Sequence, residues 1–537
     1  MKKFLLASLA LIFVLSSAAI AEVQNVKVGG EIRVRGYYED NRTDLSTENK
    51  FPGTRPTDAW MYRWNPRDEQ IPNDTQSAQH WSDTESYILQ RTQVYVEADL
   101  TDNVLVRVTL EANGAWGSND GDDNANSPLR GGTENWNAGI VEAWLQVSEL
   151  YYSPLTIKVG RQYLNYGTGL IISDKEKFWN FDAVKAVLDF YPWTLDLIYA
   201  KLAENTDREF QVRNSNTNAI MDTRRDWDLY GANLRYSADF WNIEAYIFAT
   251  QNTTDTSHYA NDPLRVAYTS YTNGVGWADT NGRLVPNDLC PSVVGIRGDV
   301  RPVEQLDVWG EFAYEFGTRG SIARWATGND RTIQNPLEET DEIELSAFAV
   351  DCGLTYTFDW TWEPAVTLAY TYASGSSDNV IEETDSAGNR IRHWDKESHA
   401  FYPLFDYDYY GYAFSPMLSN IHIFNAGISL LPLENVELVV DYYHYEQART
   451  NQNELGASAG LYPVVGNPFM DNGGVSAPTN GKEKSLGDEI DVTVNYDYSE
   501  DVSVQLIAAY FIPGGAFDNV TDEKEVIEVR GELKVNF

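Results

Sequence analysis

The chain has few cysteines and few basic residues for its length, and it lacks a long apolar run beyond its N-terminus. Two cysteines among 537 residues, Cys290 and Cys352, cannot build a disulfide framework; two free thiols are the simpler interpretation, and one bridge is the alternative. Only 40 Lys and Arg oppose 80 Asp and Glu, and the net charge of −40 argues against nucleic acid as a partner. No run of about 18 apolar residues follows residue 21, which excludes a helical membrane protein.

The first 21 residues, MKKFLLASLALIFVLSSAAIA, have the composition of an export signal. Lys2 and Lys3 precede an apolar run, and small residues follow it up to Ala21, which predicts a cleaved secretory signal over residues 1–21. The apolar run is too short for a membrane-spanning helix. Residues 22–537 contain no linker, low-complexity boundary or repeat of 20 to 50 residues, so we predict a single domain there.

The dominant pattern after residue 21 is a period of two. NVLVRVTLEAN at 103–113, EIDVTVNY at 489–496 and VIEVRGELKVNF at 526–537 all place apolar residues on one face and mostly polar residues on the other. The pattern predicts about 18 strands. Their predicted starts lie near residues 26, 86, 103, 138, 155, 181, 193, 226, 242, 292, 306, 343, 363, 420, 436, 486, 502 and 525.

The links between these strands alternate in length. Short turns, such as those at 100–103, 191–193 and 431–435, alternate with long links such as 39–85 and 251–291. Short turns on one rim and long loops on the other are typical of bacterial outer-membrane proteins. The fold class predicted is all-β, a transmembrane antiparallel β-barrel of about 18 strands with both termini at the periplasmic rim. A large secreted β-sandwich that binds carbohydrate is the alternative.

Aromatic residues support the barrel interpretation. The chain has 33 Tyr, 21 Phe and 16 Trp, and many lie at strand ends, as in YPW, DFW, FDWTW and DYYHY. Interfacial girdles of a membrane barrel need aromatic residues at those positions. The chain also ends on Phe537, on the apolar face of the last strand, as outer-membrane proteins do. We therefore expect the bacterial outer membrane as the location and its lipid as a partner.

The stretch GRQYLNYGTGLIISDKEKFWNFDAVKAV at 160–187 is the most distinctive. Its three glycines lack the Lys-Ser/Thr pair of a phosphate loop. The stretch and four others resemble the alginate export family of outer-membrane barrels. The matching residues are Gly160, Arg161, Gln162, Leu164, Tyr166, Gly167, Gly169, Leu170, Trp179 and 181–184, with VEAWLQV at 141–147, FYPLFDYDYYG at 401–411, LGDEIDVTVNY at 486–496 and YFIPGGAF at 510–517.

This resemblance implies an 18-strand barrel that passes a polyanionic polysaccharide through a lumen narrowed by inward loops, with arginines and lysines at the constriction. The inward strand faces of this chain carry acids at least as numerous as bases, so an anionic chain meets repulsion as well as attraction. The expected pore and constriction residues are Lys158, Arg161, Gln162, Tyr166, Asp182, Lys185, Arg91, Arg107, Arg235, Arg297, Glu489 and Asp491.

Arg161 and Asp182 raise a specific question, because strict alternation points both at lipid, near the middle of the membrane. An outward arginine there costs roughly 2 to 4 kcal/mol. We therefore expect both strands to leave the wall at a bend near Gly160, Arg161 to pair with Asp182 inside the lumen, and residues 163–180 to fold inward. A taller hairpin, with the pair at the outer interface and the loop outside, is the alternative. Tyr163, Tyr166 and Trp179 are candidates for stacking on sugar faces.

Sites for catalysis and for metals find little support in the sequence. SNDGDDNANS at 118–127 is rich in oxygen ligands for Ca²⁺ but lacks EF-hand spacing, so a solvated loop tip is the simpler interpretation. His393, His399, His422 and His444 lack metal-pair spacing, and no G-x-S-x-G motif occurs. Paired inward carboxylates such as Glu489 and Asp491 are expected to set ion selectivity rather than to catalyse a reaction.

The function predicted is a diffusive outer-membrane channel of the alginate export type, without cofactor, metal or energy source. It would pass a polysaccharide or small polar or charged solutes, and an exporter would use a periplasmic partner. A nutrient-uptake porin and the barrel sheath of a multihaem electron conduit are the alternatives within the fold, although no haem attachment site occurs. A secreted sugar-binding sandwich is the alternative outside transport.

Overall fold

The structure, a computed structural model, describes a large part of the chain. The described residues are 25–41, 84–116, 138–177, 179–203, 211–213, 220–222, 226–253, 289–321, 342–375, 380–384, 390–394, 397–401, 403–405, 410–416, 418–450, 482–518 and 525–537. The predicted signal at 1–21, the acidic segment 118–127 and the side chains of Cys290 and His393 lie outside this description. Cys352 is a free thiol.

Antiparallel strands form one closed wall. The main sheet has 19 strands, of which the two-residue strand Glu397–Ser398 lies in a long connection, which leaves 18 in the wall. We number these β1 to β18 in chain order: Asn25–Asp40, Thr84–Thr101, Val104–Ala115, Ala138–Val147, Leu155–Gln162, Phe181–Phe190, Trp193–Ala203, Asp226–Ser237, Trp241–Thr253, Leu289–Val303, Leu306–Ser321, Glu342–Thr357, Ala365–Ala373, Ile421–Leu433, Val436–Gln447, Ser485–Asp497, Val502–Pro513 and Val526–Asn536.

Short elements occupy some of the connections. Four further short strands, Gln211–Arg213, Ile220–Asp222, Val380–Thr384 and Arg390–Trp394, form two hairpins of their own. Single 3-10 turns occur at Leu150–Tyr152, Lys175–Lys177 and Gly515–Phe517. Within the described part of the chain, no helix has the length and apolar character needed to cross a membrane.

The first and last strands close the wall. β1 pairs with β18 from Glu31 opposite Asn536 to Asp40 opposite Ile527, and the Gly30 amide donates to the Phe537 carbonyl at 2.8 Å. Closure gives every wall strand two neighbours, so the described wall has no edge strand. The predicted barrel of about 18 strands is confirmed, and the sandwich alternative is wrong.

Alternation gives the wall an apolar outer face. Outward residues such as Val159, Val184 and Leu506 are exposed on the side that a membrane covers. Near the short turns this face carries aromatic rings, and Trp193 packs edge-on against Tyr236 with ring centroids 4.8 Å apart. Within DYYHY, however, only alternate residues face outward, and Tyr445 is buried on the lumen side. Only every second residue of such an aromatic run therefore lies on the outer face, where it can belong to the aromatic girdle.

The buried core lies inside the barrel rather than between sheets. It consists of inward wall side chains together with residues of the β5–β6 loop at 163–180, the β13–β14 loop at 374–420 and the connection between β17 and β18. Leu164, Ile172, Phe405, Phe414 and Phe517 are among its loop residues. Burial of apolar loop side chains stabilises the loops within the lumen at about 25 cal/mol per Å² of surface removed from water.

The wall is irregular where the β5–β6 loop departs. The β3–β4 register shifts between Thr109 and Leu110, so β4 holds an extra residue, and both Val141 and Glu142 are buried. Gly160 in β5 has a φ of 124°, and a Cβ there would collide with the Ala143 carbonyl oxygen of β4. Glycine is therefore required for β5 to lie against the bulged β4.

We expect Gly160→Ala to weaken the barrel, because an alanine at this φ is strained by about 1–3 kcal/mol even before the collision with β4. The measurement is the urea midpoint at which the purified protein loses its heat-modifiable electrophoretic mobility. Gly36→Ala is the matched control, since a Cβ at Gly36 has no heavy atom within 4 Å. Equal midpoints for both variants would contradict the requirement for glycine.

Candidate constriction

The β5–β6 loop crosses the lumen. Leu164, Tyr166, Leu170, Ile171 and Ile172 are all at most 2% exposed, which requires protein around them on several sides. The loop contacts β9 to β11 at one end and β1 and β2 at the other. Because β10 is nine strands from β1 in a ring of 18, these walls lie opposite each other. The predicted inward folding of residues 163–180 is confirmed.

Wall carboxylates hold the first end of this loop through its backbone. The Gly167 amide donates to Glu244 Oε1 at 3.1 Å, the Thr168 amide donates to Glu311 Oε2 at 2.5 Å, and Arg297 donates to the Gly167 carbonyl. Gly167 has a φ of 65°, and a Cβ there would collide with the Glu311 carboxylate. Glycine thus allows the loop backbone to approach the wall closely.

The second end of the loop is held by a cluster of arginines. Glu176 pairs with Arg33 and, at 2.7 Å, with Arg35 Nη2, and its carbonyl accepts from Arg91 Nη1 at 2.8 Å. Burial raises the pKa of Glu176, but the positive charges of Arg35 and Arg33 outweigh this effect and lower the pKa below its ordinary value. Glu176 is therefore ionised at neutral pH.

The β13–β14 loop also folds inward, and it too is held by a wall carboxylate. Glu489 of β16 accepts hydrogen bonds from the Ala413 amide at 2.6 Å and from the Phe414 amide at 3.1 Å. Phe414 stacks on Phe511 with centroids 4.5 Å apart and planes 4° apart, and the Tyr445 hydroxyl donates to Glu489 at 3.2 Å. Sequence reasoning gave no role to FYPLFDYDYYG at 401–411; its aromatic density within a long link was the available signal.

The two loops meet inside the barrel. The Phe405 amide donates to the Ile171 carbonyl at 2.8 Å, and the Ser173 amide donates to the Phe405 carbonyl at 3.1 Å. The Phe405 ring packs edge-on against Trp179 at 5.5 Å and against Phe181 at 5.1 Å. The β5–β6 and β13–β14 loops therefore form one partition across the lumen, which we call the loop partition.

Arg161 and Asp182 do pair, but the expected position inside the lumen is wrong. Arg161 Nε lies 2.8 Å from Asp182 Oδ1 and Nη2 lies 2.9 Å from Oδ2, yet the side chains are 41% and 55% exposed. They share the outer face with Val159 and Val184, because the β5–β6 register runs without a shift up to Gln162. The bulge lies in β4 instead, so alternation continues through β5 and β6.

Local contacts satisfy the charges of the pair in that position. β5 ends one residue after Arg161, and the pair forms two parallel hydrogen bonds. Arg161 Nη1 also donates to the Ile140 carbonyl at 3.1 Å, which leaves fewer of its donors unsatisfied in lipid.

Other expected constriction residues face the lumen next to the loop. Lys158 Nζ lies 3.9 Å from the Trp144 ring centroid, and Lys185 pairs with Asp196 at 2.7 Å. Tyr166 donates to the same Asp196 at 3.2 Å, and burial, followed by the Asp196 charge, raises the pKa of Tyr166, so its hydroxyl keeps its proton. Gln162 is buried against backbone carbonyls, a position that orders the start of the loop rather than lining an open path.

The remaining expected bases also face inward, each with an acidic partner. These contacts are Arg107 to Glu97 at 3.4 Å and to Glu142 at 3.2 Å, Arg91 to Glu31 at 2.6 Å, Arg235 to Glu244 at 3.3 Å and Arg297 to Asp299 at 2.6 Å. Trp179, a candidate for stacking on sugars, packs against Phe405 within the loop partition instead. Lumen cations are thus largely engaged with wall carboxylates.

Charge is distributed unevenly around the lumen. The side formed by β18 and β1 to β6, which we call the basic side, carries Lys27, Arg33, Arg35, Arg91, Arg107, Lys158, Lys185, Arg530 and Lys534. The same inward faces also carry the carboxylates Glu31, Glu39, Glu97, Glu111, Glu142, Glu528 and Glu532, so that most of these cations have an acidic neighbour. A second group of strands, β11, β12, β15 and β16, carries Glu311, Asp351, Asp441, Glu489 and Asp491 on its inward faces, and we call it the acidic side. Among the described residues, no basic side chain lies within ion-pair distance of these five carboxylates.

Comparison with known proteins adds one family match. The sequence model of a family described as alginate export matches residues 69–526. No curated protein sequence matches the chain. Among similar solved structures, Pseudomonas aeruginosa OccK11 (OpdR) has 10% identity and a TM-score of 0.46, and the match covers 96% of both chains. Acinetobacter baumannii OccAB3 has 12% identity and a TM-score of 0.48, and the match covers 95% of this chain and 99% of that one. Pseudomonas aeruginosa OccK5 (OpdH) has 9% identity and a TM-score of 0.46, and the match covers 96% of this chain and 98% of that one.

We expect Phe405→Ala to loosen the loop partition and raise single-channel conductance in planar bilayers, since burial losses for Phe→Ala are about 3–5 kcal/mol. Phe424→Ala is the matched control, because Phe424 lies on the outer face of β14 and is exposed. Its conductance should equal that of the unmodified protein. Unchanged conductance in Phe405→Ala would show that the contact does not restrict the lumen.

Arg161→Ala, by contrast, is expected to leave conductance and ion selectivity unchanged, because Arg161 lies on the outer face. Arg297→Ala should alter both, since Arg297 faces the lumen and donates to the Gly167 carbonyl. Reversal potentials under a salt gradient provide the comparison. A selectivity shift in Arg161→Ala would place its charge back in the ion path.

Proposed function

The chain belongs to the alginate export family and is an outer-membrane channel, and we propose that it conducts acidic saccharides or other small carboxylated solutes across the bacterial outer membrane by diffusion. The closed wall supplies the path through lipid, and the loop partition narrows it. The proposal needs no bound cofactor and no energy source. A periplasmic partner remains a prediction.

The observation that carries this proposal is the basic side of the lumen. Its nine cations lie on strands that are neighbours or near neighbours in the wall. Lys27, Arg107, Lys185 and Lys534 are partly exposed and can meet a passing carboxylate. Arginine binds carboxylates with two parallel hydrogen bonds, which makes it well suited to uronate groups. Lys158 near Trp144, and Arg107 4.0 Å from the Tyr95 ring centroid, add aromatic faces on which sugar rings can pack.

The pairing of these cations with wall carboxylates favours passage over tight binding. Rapid conduction requires sites that attract a solute and also release it. A solute carboxylate can replace a wall carboxylate beside Arg107 or Lys185, while the displaced acid competes for its return. The mixed lumen charge, which opposes an anionic chain overall, thus keeps each site weak.

A second candidate function follows from the acidic side. Asp351 and Asp441 face inward, partly exposed and without a basic partner among the described residues, whereas Glu489 and Asp491 are buried. Exposed carboxylates of this kind attract cations and repel polyanions. A nutrient channel for cationic or neutral solutes would use that side of the lumen. No contact among the described residues favours the alternative of a barrel that sheathes an electron conduit.

Planar-bilayer recording distinguishes the two candidates. Potassium glucuronate in a gradient should give a reversal potential that demonstrates glucuronate permeation, and a trimeric uronate should block the current at lower concentration than a neutral trisaccharide. Strict cation selectivity, with equal block by the charged and neutral trimers, would reject the first proposal in favour of the second. Heat-modifiable mobility confirms that the reconstituted protein is folded.

A further inference from the structure

The carboxylate of Glu176 lies where three arginines of the wall converge. We propose that Glu176 is a built-in competitor at Arg33, Arg35 and Arg91, and that a carboxylate of the permeating solute displaces it from this receptor. This inference rests on the proposed function and adds to it a particular binding site and a means of regulation. The solute class is a monocarboxylate borne on a sugar or a similar polar body.

The receptor is preformed by the wall. The three arginines are each 6% exposed, and they lie side by side because Arg33 of β1 is opposite Arg91 of β2 in the strand register. Glu532 contacts Arg35 Nε, and Glu31 accepts from Arg91 Nε at 3.0 Å and Nη2 at 2.6 Å. These wall acids hold two of the guanidinium groups in place whether or not Glu176 is present.

Arg33 makes the receptor dependent on an anion. Among the described residues, Glu176 is the only carboxylate within ion-pair distance of Arg33. Departure of Glu176 with no replacement leaves a buried guanidinium without a counter-ion, which is strongly unfavourable. A solute carboxylate that takes its place restores the pair, so exchange is far easier than simple opening. The loop should therefore stay closed until a carboxylate arrives.

The backbone at Glu176 is consistent with displacement. Its φ of 53° and ψ of 3° lie in the left-handed region, which a non-glycine residue rarely adopts. The arginine contacts hold this conformation, and displacement of the carboxylate releases the strain. Glu176 also retains partial exposure, with 24% of its side chain accessible, so a solute can reach the pair from the lumen.

The opposite end of the loop supplies a fixed attachment. There the wall provides the carboxylates, Glu244 and Glu311, and the loop provides the backbone amides of Gly167 and Thr168. An arriving anion cannot replace those acceptors without first displacing buried wall charges. Arg297 at that end contacts the Gly167 carbonyl and not a loop carboxylate, so a carboxylated solute displaces a loop anion only at the Glu176 end, and the loop remains attached to β9 and β11.

The test compares Glu176→Gln with Glu437→Gln in the full chain reconstituted in planar bilayers. Glu437 faces the lumen from β15, where Asn495 donates to it at 2.9 Å, so the control removes the same charge away from the arginines. Potassium glucuronate is the probe, and glucose is its neutral counterpart. We expect Glu176→Gln to raise resting conductance and to lower the half-blocking glucuronate concentration by about tenfold, since competition is removed.

Arg33→Gln gives an independent measurement. The Arg33→Gln variant should also raise the resting conductance, because the loop loses a contact. The glucuronate concentration that halves the current should rise in this variant rather than fall. Equal half-blocking concentrations in Glu176→Gln and the unmodified protein, or an equal decrease in Glu437→Gln, would overturn the competitor role. Glucose should not discriminate among the variants, and heat-modifiable mobility establishes that each is folded.

The two proposals fail separately. If the unmodified channel carries no glucuronate current in a gradient, the proposed function is wrong. If it carries that current while Glu176→Gln and Arg33→Gln both behave like the unmodified protein, the proposed function stands and the competitor role of Glu176 is wrong.

Discussion

Backbone pairing around a closed ring is the constraint on which the rest of this structure depends. Because every strand hydrogen-bonds to two neighbours, successive side chains must alternate between lipid and lumen. The outer face is apolar for that reason, and the polar groups of the chain are concentrated in the lumen. Any segment that enters the lumen must satisfy its own backbone there, since it has left the sheet.

The two inward loops satisfy part of their backbone by donating hydrogen bonds to carboxylates that the alternation of the strands places in the lumen. Glu311 and Glu489 accept loop amides, and the loops donate to one another at Ile171, Ser173 and Phe405. A carboxylate that accepts backbone amides is partly neutralised without a basic partner. This accounts for the burial of Glu311 and Glu489 on the acidic side, and it links these two wall charges directly to the position of the loops.

Sequence reasoning succeeded where the signal was local and periodic. The strand positions, and with them the alternation of short and long links, follow from apolar and polar residues that alternate with a period of two. The contact between Arg161 and Asp182 follows from the register of the hairpin. The face on which that pair lies was wrong, because the bulge that bends this part of the wall is in β4. The contact between Ile171 and Phe405 joins segments distant in the chain, and no periodicity encodes such a pairing.

Arg35 joins three parts of the chain at one guanidinium, since it pairs with Glu176 of the β5–β6 loop and with Glu532 of the last strand. These partners lie 141 and 497 residues away in sequence. The inner loop and the seam between β1 and β18 therefore share one guanidinium group, so a change that displaces either of them removes a partner from the other.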